Sequence, residues 1–202
     1  MVDKGANSKR RSRSDRQGEI TAAALDCLIV HGYTGLTARR VAARAGISLG
    51  HLTYHFTSME EVLVQTYYLV AERLRITAPI GELTGLSPTE RFAKYLQSVF
   101  APETLSPENI RLRIDLWSAA QETPAIAEIE RALNESQRAA VEKHLSNICD
   151  PWKTGRIPAV EAFVMATLDG LWLDYMRHGD IEGIDAAIDA CALFAKMRLG
   201  GS

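Results

Sequence analysis

The chain has 202 residues, 47% hydrophobic and 24% charged, which suits a folded domain in water and is long enough for one large domain or two small ones. No apolar run approaches the roughly 20 residues that span a bilayer, and the basic N-terminal stretch MVDKGANSKRRSRSDRQ lacks the apolar core of a secretory signal. The net charge of −2 is unevenly spread: residues 1–78 hold 11 Lys/Arg against 7 Asp/Glu and residues 79–202 hold 12 against 18, so a polyanionic partner is expected for the front of the chain alone.

In chain order, residues 1–15 are rich in Lys, Arg and Ser with little to bury, and predict a flexible basic arm. From Arg16 to Val30, Ile20, Ala24, Cys27 and Leu28 recur at helical spacing, and Gly32 stops that helix. Thr37 is a good N-cap for a short helix over Ala38–Arg44, ended by Gly46, and Ser48 caps a second short helix over Leu49–His55. Ser58 and Glu61 have the S-x-x-E form of a capping box ahead of a longer helix carrying Leu63, Tyr67, Val70 and Leu74. The Pro/Gly-rich stretch PIGELTGLSP reads as a junction. Beyond it no period-two alternation occurs. Helices are predicted over 88–101, 107–121, 124–149, 158–178 and 182–199, four of them opened by Pro88, Pro107, Pro124 and Pro158, where a missing N–H is harmless. The expected architecture is all-α: a connecting-helix-bearing domain over 16–78 and a larger helical domain over 79–202.

The stretch AGISLGHLTYHF, Ala45 to Phe56, is where two short helices meet at a turn, a helix-turn-helix. Gly46 tolerates the positive φ such a turn needs, and Ile47 is positioned to plug the space between the helices. The second helix is too short to be stable alone, so Leu52 and Phe56 are its inward anchors, leaving Leu49, Gly50, His51, Thr53, Tyr54 and His55 to the outside or the rim. Glycine at position 50 weakens a helix and suits close approach of backbone to a phosphate.

The run TARRVAARAGISLGHLTYHFTSMEEVL resembles the DNA-binding domain of the TetR family of transcriptional regulators, from about Ile20 to Val70. The resemblance implies a three-helix N-terminal reader followed by a helical domain that dimerises and binds an effector. It further implies that His51 and Leu49 read base edges in the major groove, while Thr37, Arg39, Ser48, Gly50, Thr53, Tyr54 and His55 grip phosphates and set register. Two positions depart from the family pattern: Thr53 stands where tyrosine is frequent, and Met59 where a phosphate-touching lysine is usual. LWSAAQETP (116–124) and LDGLWLDYMRHG (168–179) resemble the effector domain of the repressors that control choline-to-betaine synthesis.

Other chemistries find less support. His51 and His55 at i, i+4 can face the same way, but zinc needs three or four ligands; there is no HExxH, and no metal or cofactor is expected. No Ser lies in a G-x-S-x-G context, so an enzyme is not expected. Cys27, Cys149 and Cys191 form no CxxC and predict reduced thiols in a cytoplasmic, nucleoid-associated protein. In the second domain, Tyr95, Trp117, Asp169 and Trp172 are candidate ligand contacts, since a carboxylate among aromatics suits a cation; most of the rings are expected to be core packing, and an N-cap, a salt bridge or a dimer contact accounts equally well for the aspartate. Val164, Leu168, Leu171, Tyr175, Ile188, Cys191 and Ala195 are the candidate dimer face, packing as a four-helix bundle with a second copy. The expected function is a repressor that binds a palindromic operator in double-stranded DNA as a homodimer and is released by an unidentified small molecule. The alternative is a helical ligand-binding or protein-interaction module that has lost DNA binding.

Overall fold

The computed structural model describes residues 13–75, 85–179 and 182–200. Most of the expected arm and of the junction PIGELTGLSP lies outside them. The described residues form nine α-helices and no strand: α1 Arg13–His31, α2 Ala38–Arg44, α3 Leu49–His55, α4 Met59–Leu74, α5 Pro88–Val99, α6 Pro107–Glu122, α7 Pro124–Ile148, α8 Ile157–His178 and α9 Glu182–Leu199. The all-α expectation holds, and α2, α3 and α9 have the predicted limits. Short 3₁₀ turns occupy Tyr33–Gly35 and Pro151–Arg156.

Helix starts follow from side-chain chemistry. Ser87 and Glu90 form a complete capping box ahead of α5: the Ser87 N–H donates to Glu90 Oε2 at 2.7 Å and the Glu90 N–H to Ser87 Oγ at 3.3 Å. At α4 the box is displaced by one residue. The Glu61 N–H donates to Ser58 Oγ at 3.1 Å, but the Glu61 carboxylate accepts from the backbone and hydroxyl of Thr57, at 2.7 and 2.8 Å, and these bonds hold its pKa below the ordinary carboxylate value.

The chain divides into two compact units, Met1–Glu72 with Arg111–Ala127, and Arg73–Ile110 with Glu128–Ser202. In this division most of α6 groups with the N-terminal helices, whereas the sequence reading set one boundary near residue 78. Three polar contacts within the first unit hold it there. Arg111 Nη1 donates to the Ile29 carbonyl at 2.8 Å, Tyr67 Oη donates to the Asp115 carbonyl at 3.2 Å, and the Tyr33 N–H donates to the Asp115 carboxylate.

The first unit packs Ile20, Ala24 and Cys27 of α1, Val41 and Ala42 of α2, Leu52 of α3 with Phe56 just beyond it, and Val62 of α4 into one cluster. In the second unit Phe92, Leu96 and Val99 of α5 meet Val141 and Leu145 of α7, Val160, Val164, Leu168 and Trp172 of α8, and Ile188, Cys191 and Ala195 of α9.

The residues of the expected dimer face take part in that packing. Val164, Leu168, Ile188, Cys191 and Ala195 are 0–3% exposed within the single chain, and Leu171 and Tyr175 pack partly against the same core, so these side chains are already covered without a partner. The outward apolar stripes lie elsewhere: Phe163, Ala166, Gly170 and Leu173 on α8, and Ala186, Ala190, Leu193 and Met197 on α9, all exposed.

Because α3 relies on Leu52 for its place in the first core, Leu52→Ala is expected to cost about 2–5 kcal/mol, read as a lower urea midpoint in the far-ultraviolet circular dichroism transition.

Candidate nucleic-acid interface

The turn between α2 and α3 is built by backbone hydrogen bonds. Gly46 adopts φ +64°, the Gly46 N–H donates to the Ala43 carbonyl at 3.2 Å and the Ile47 N–H to the Ala42 carbonyl at 3.0 Å. This is a Schellman close with its customary apolar residue after the glycine: Ile47 packs partly against the core of the first unit, as its place in the sequence suggested. Thr37 and Ser48 cap the two helices, accepting from the Arg40 N–H at 3.4 Å and the His51 N–H at 3.2 Å.

With Leu52 2% and Phe56 2% exposed, α3 turns its opposite side outward. Leu49 is 45% and Tyr54 70% exposed, and Thr37, Arg39, Ser48, Gly50, His51 and Thr53 are exposed with them. An exposed leucine and tyrosine beside an imidazole on one turn of helix are not needed by the fold. They offer apolar and hydrogen-bonding groups at the reach a major groove requires. A Cβ on Gly50 would meet only Ser48 Oγ, at 4.0 Å, so nothing within the chain demands glycine there. Its open backbone is available to a close neighbour.

His55 departs from expectation. It is 7% exposed, because residue 55 is three beyond Leu52 and so shares its inward face. Its ring lies edge-on to Tyr54, centroids 5.1 Å apart, and stacked with His51 at 5.8 Å, and Nδ1 is buried without a hydrogen-bond partner. Burial, aided by the charges of His51, Arg13 and Arg16, pulls its pKa below the ordinary histidine value, which favours the neutral form. His55 thus packs within the helix-turn-helix.

Two models of known families match: bacterial regulatory proteins of the tetR family over residues 20–66, and the C-terminal region of BetI-type transcriptional repressors over residues 88–200. The chain belongs to the TetR family of transcriptional regulators. It is 30% identical over 138 residues to the regulator CymR of Pseudomonas putida, covering 66% of this chain and 67% of that one. It is 24% identical over 163 residues to the regulator BetI of Agrobacterium fabrum, covering 81% and 76%. A transcriptional regulator from Rhodococcus sp. Rha1 shares the fold with a TM-score of 0.72 at 23% identity, covering 92% of this chain and 98% of that one. The multidrug binding protein EbrR, solved in complex with ethidium, does so at 0.65 and 22%, covering 88% and 97%.

As a TetR-family protein the chain is a DNA-binding regulator and not an enzyme, and α2 and α3 are its helix-turn-helix. The two departures from the family pattern have structural counterparts. Met59 packs partly against the core of the first unit, so the usual lysine is replaced by an apolar anchor. Thr53 directs its hydroxyl proton to the Gly50 carbonyl at 3.0 Å. Neighbouring cations are tied to the fold: Arg40 Nη1 donates to the Gly35 carbonyl at 2.8 Å, and Arg44 makes two hydrogen bonds to Asp26 Oδ2, at 3.0 and 2.8 Å. The Arg44–Asp26 contact joins residues 18 apart and leaves no signature in the sequence.

The candidate ligand residues are divided between the two units. Tyr95 and Trp172 are buried in the second core, Tyr95 stacked on His144 at 4.7 Å with its hydroxyl pushed up to about 12 by burial, and Trp172 5.9 Å from Phe100. Asp169 is exposed, and Trp117 falls in the first unit. The aromatics thus serve first as core.

Two outcomes are expected. Gly50→Ala removes a helix penalty of up to about 1 kcal/mol, so the free protein melts slightly higher while its affinity for DNA falls, both read on one preparation by thermal melting and fluorescence anisotropy. His55, whose folded pKa lies below its unfolded one, contributes stability that is complete above the unfolded value near 6.5 and is lost as pH falls through it towards the folded value. Melting temperature should accordingly drop between about pH 7.5 and pH 5, and drop less in His55→Leu. His144, likewise lowered by burial, acts in the same direction.

Proposed function

We propose that this regulator is a repressor that binds a palindromic operator as a homodimer on the nucleoid and releases it when a small molecule binds the second unit. The observation that carries the reading is the outward face of α3: Leu49, Gly50, His51, Thr53 and Tyr54 are exposed together on a helix whose other side is fully engaged. One seven-residue helix covers only a few base pairs, so a second copy is needed for a site that is specific in a genome. The exposed stripes of α8 and α9 support the second copy. Phe163, Leu173, Leu193 and Met197 expose apolar surface at the spacing by which helix pairs form a bundle across a two-fold axis. No described helix is long and apolar enough to cross a membrane.

Support for ligand response comes from the match to the BetI-type C-terminal region, from the aromatic content of the second core, where Phe92, Tyr95, Phe100 and Trp172 gather, and from the fold shared with EbrR, which binds ethidium. The coupling is a population shift: a ligand that prefers one arrangement of the dimer lowers the fraction whose two α3 helices fit successive major grooves. Emptying the operator requires a preference of several kcal/mol.

The experiment is binding to duplexes selected by the protein from a randomised pool. His51→Ala is expected to change which bases are preferred at one position of each half-site, seen by repeating the selection. An unchanged preference places base reading elsewhere on the face. Leu193→Glu combined with Met197→Glu is expected to convert a dimer into a monomer in sedimentation velocity and to abolish tight operator binding. A dimer that survives both charges contradicts the proposed interface.

A further inference from the structure

Helix α3 is held almost wholly by apolar burial. Leu52 and Phe56 fix its depth, but apolar contact is non-directional and leaves a short helix free to roll or slide. Among the described residues a single hydrogen bond reaches α3 from another helix: Gln17 Nε2 of α1 donates to the His55 carbonyl at 2.9 Å, across 38 residues of sequence. The other bonds of α3 are its own turns and its Ser48 cap.

The His55 carbonyl is one of the orphan acceptors that every helix leaves at its C-terminus. Phe56 bonds back to the Leu52 carbonyl at 3.0 Å, and the chain then turns extended, so no later residue of the helix can serve His55. Gln17 supplies the donor from a well-fixed place. It stands one turn before Ile20 and Thr21, 0% and 6% exposed, and its own carbonyl accepts from Thr21 Oγ1 at 2.8 Å. The bonded peptide follows Tyr54, the most exposed large side chain of the face. A directional bond at that point sets the roll of α3, and with it where Leu49, His51 and Tyr54 aim.

We infer that Gln17 is a positioning residue for sequence reading: its amide fixes the roll of α3 so that the outward face meets base edges in one register. The inference rests on the operator reading above. Without the bond, α3 samples orientations of which only part are competent, and apparent affinity falls by that fraction. Non-specific binding depends on phosphate attraction and tolerates the roll.

The test uses the full chain, a duplex it selects from a randomised pool, and a scrambled duplex of equal length and composition. Gln17→Met keeps length and helix propensity and lacks the donor. It is expected to weaken the selected duplex about fivefold, the worth of one hydrogen bond, and to leave the scrambled duplex and the salt slope unchanged. Gln17→Arg restores an N–H donor and adds a charge. It is expected to strengthen both duplexes while keeping their ratio within about twofold of the parent. The inference is overturned if Gln17→Met leaves the ratio intact, if it weakens both duplexes alike as a purely structural residue would, or if Gln17→Arg fails to restore discrimination. If the unmodified chain selects no duplex at all, the operator reading falls first and takes this inference with it.

Discussion

A seven-residue helix cannot persist in water on its own backbone bonds, and everything this regulator does with DNA depends on holding one in place. Burial of Leu52 and Phe56 against Ile20, Val41 and Val62 turns α3 from an unstable segment into a fixed edge. The turn at Gly46, the plug at Ile47 and the caps at Thr37 and Ser48 serve the same end, since each removes a conformational choice between α2 and α3. The outward side chains then need no partner in the chain, which is the condition for their having one outside it.

The second unit rests on a different balance. Its helices are apolar on more than one side, and α8 buries Val160, Val164, Leu168 and Trp172 while exposing Phe163 and Leu173. One side makes the core of the single chain and the other is exposed. The aromatic residues that suggested a ligand site are first of all core residues. In the proposed function, a pocket formed among them exchanges packing for ligand contact, which gives a ligand leverage over the arrangement of the unit.

Much of this was legible in the sequence, and the places where it was not are instructive. The limits of α2 and the start of α3 followed from caps and a glycine stop, because those signals are local. His55 could have been placed correctly: 52, 55 and 56 stand at i, i+3 and i+4, one face of a helix, and the polarity of histidine outweighed its position. Which side of α8 the single chain covers was not legible, because a helix apolar on more than one side gives periodicity nothing to choose between; Leu168 and Leu173 look alike until the core is packed. The assignment of α6 to the first unit depends on Arg111 meeting α1, Asp115 meeting the turn after it and Tyr67 of α4 meeting Asp115, contacts of long sequence separation that no local pattern carries. Gln17 was invisible for the same reason. A glutamine at the edge of an apolar stripe reads as solvated until its acceptor is known.

Dimethyl sulfate probing of a duplex selected by the full chain tests the central claim most directly, since it methylates guanine N7 in the major groove and adenine N3 in the minor groove. Two helices reading successive major grooves predict two symmetric patches of guanine N7 protection, about one helical turn or slightly more apart, lost when the outward face of α3 is replaced by alanine. Protection confined to adenine N3, or a single patch unaffected by those substitutions, would contradict the account.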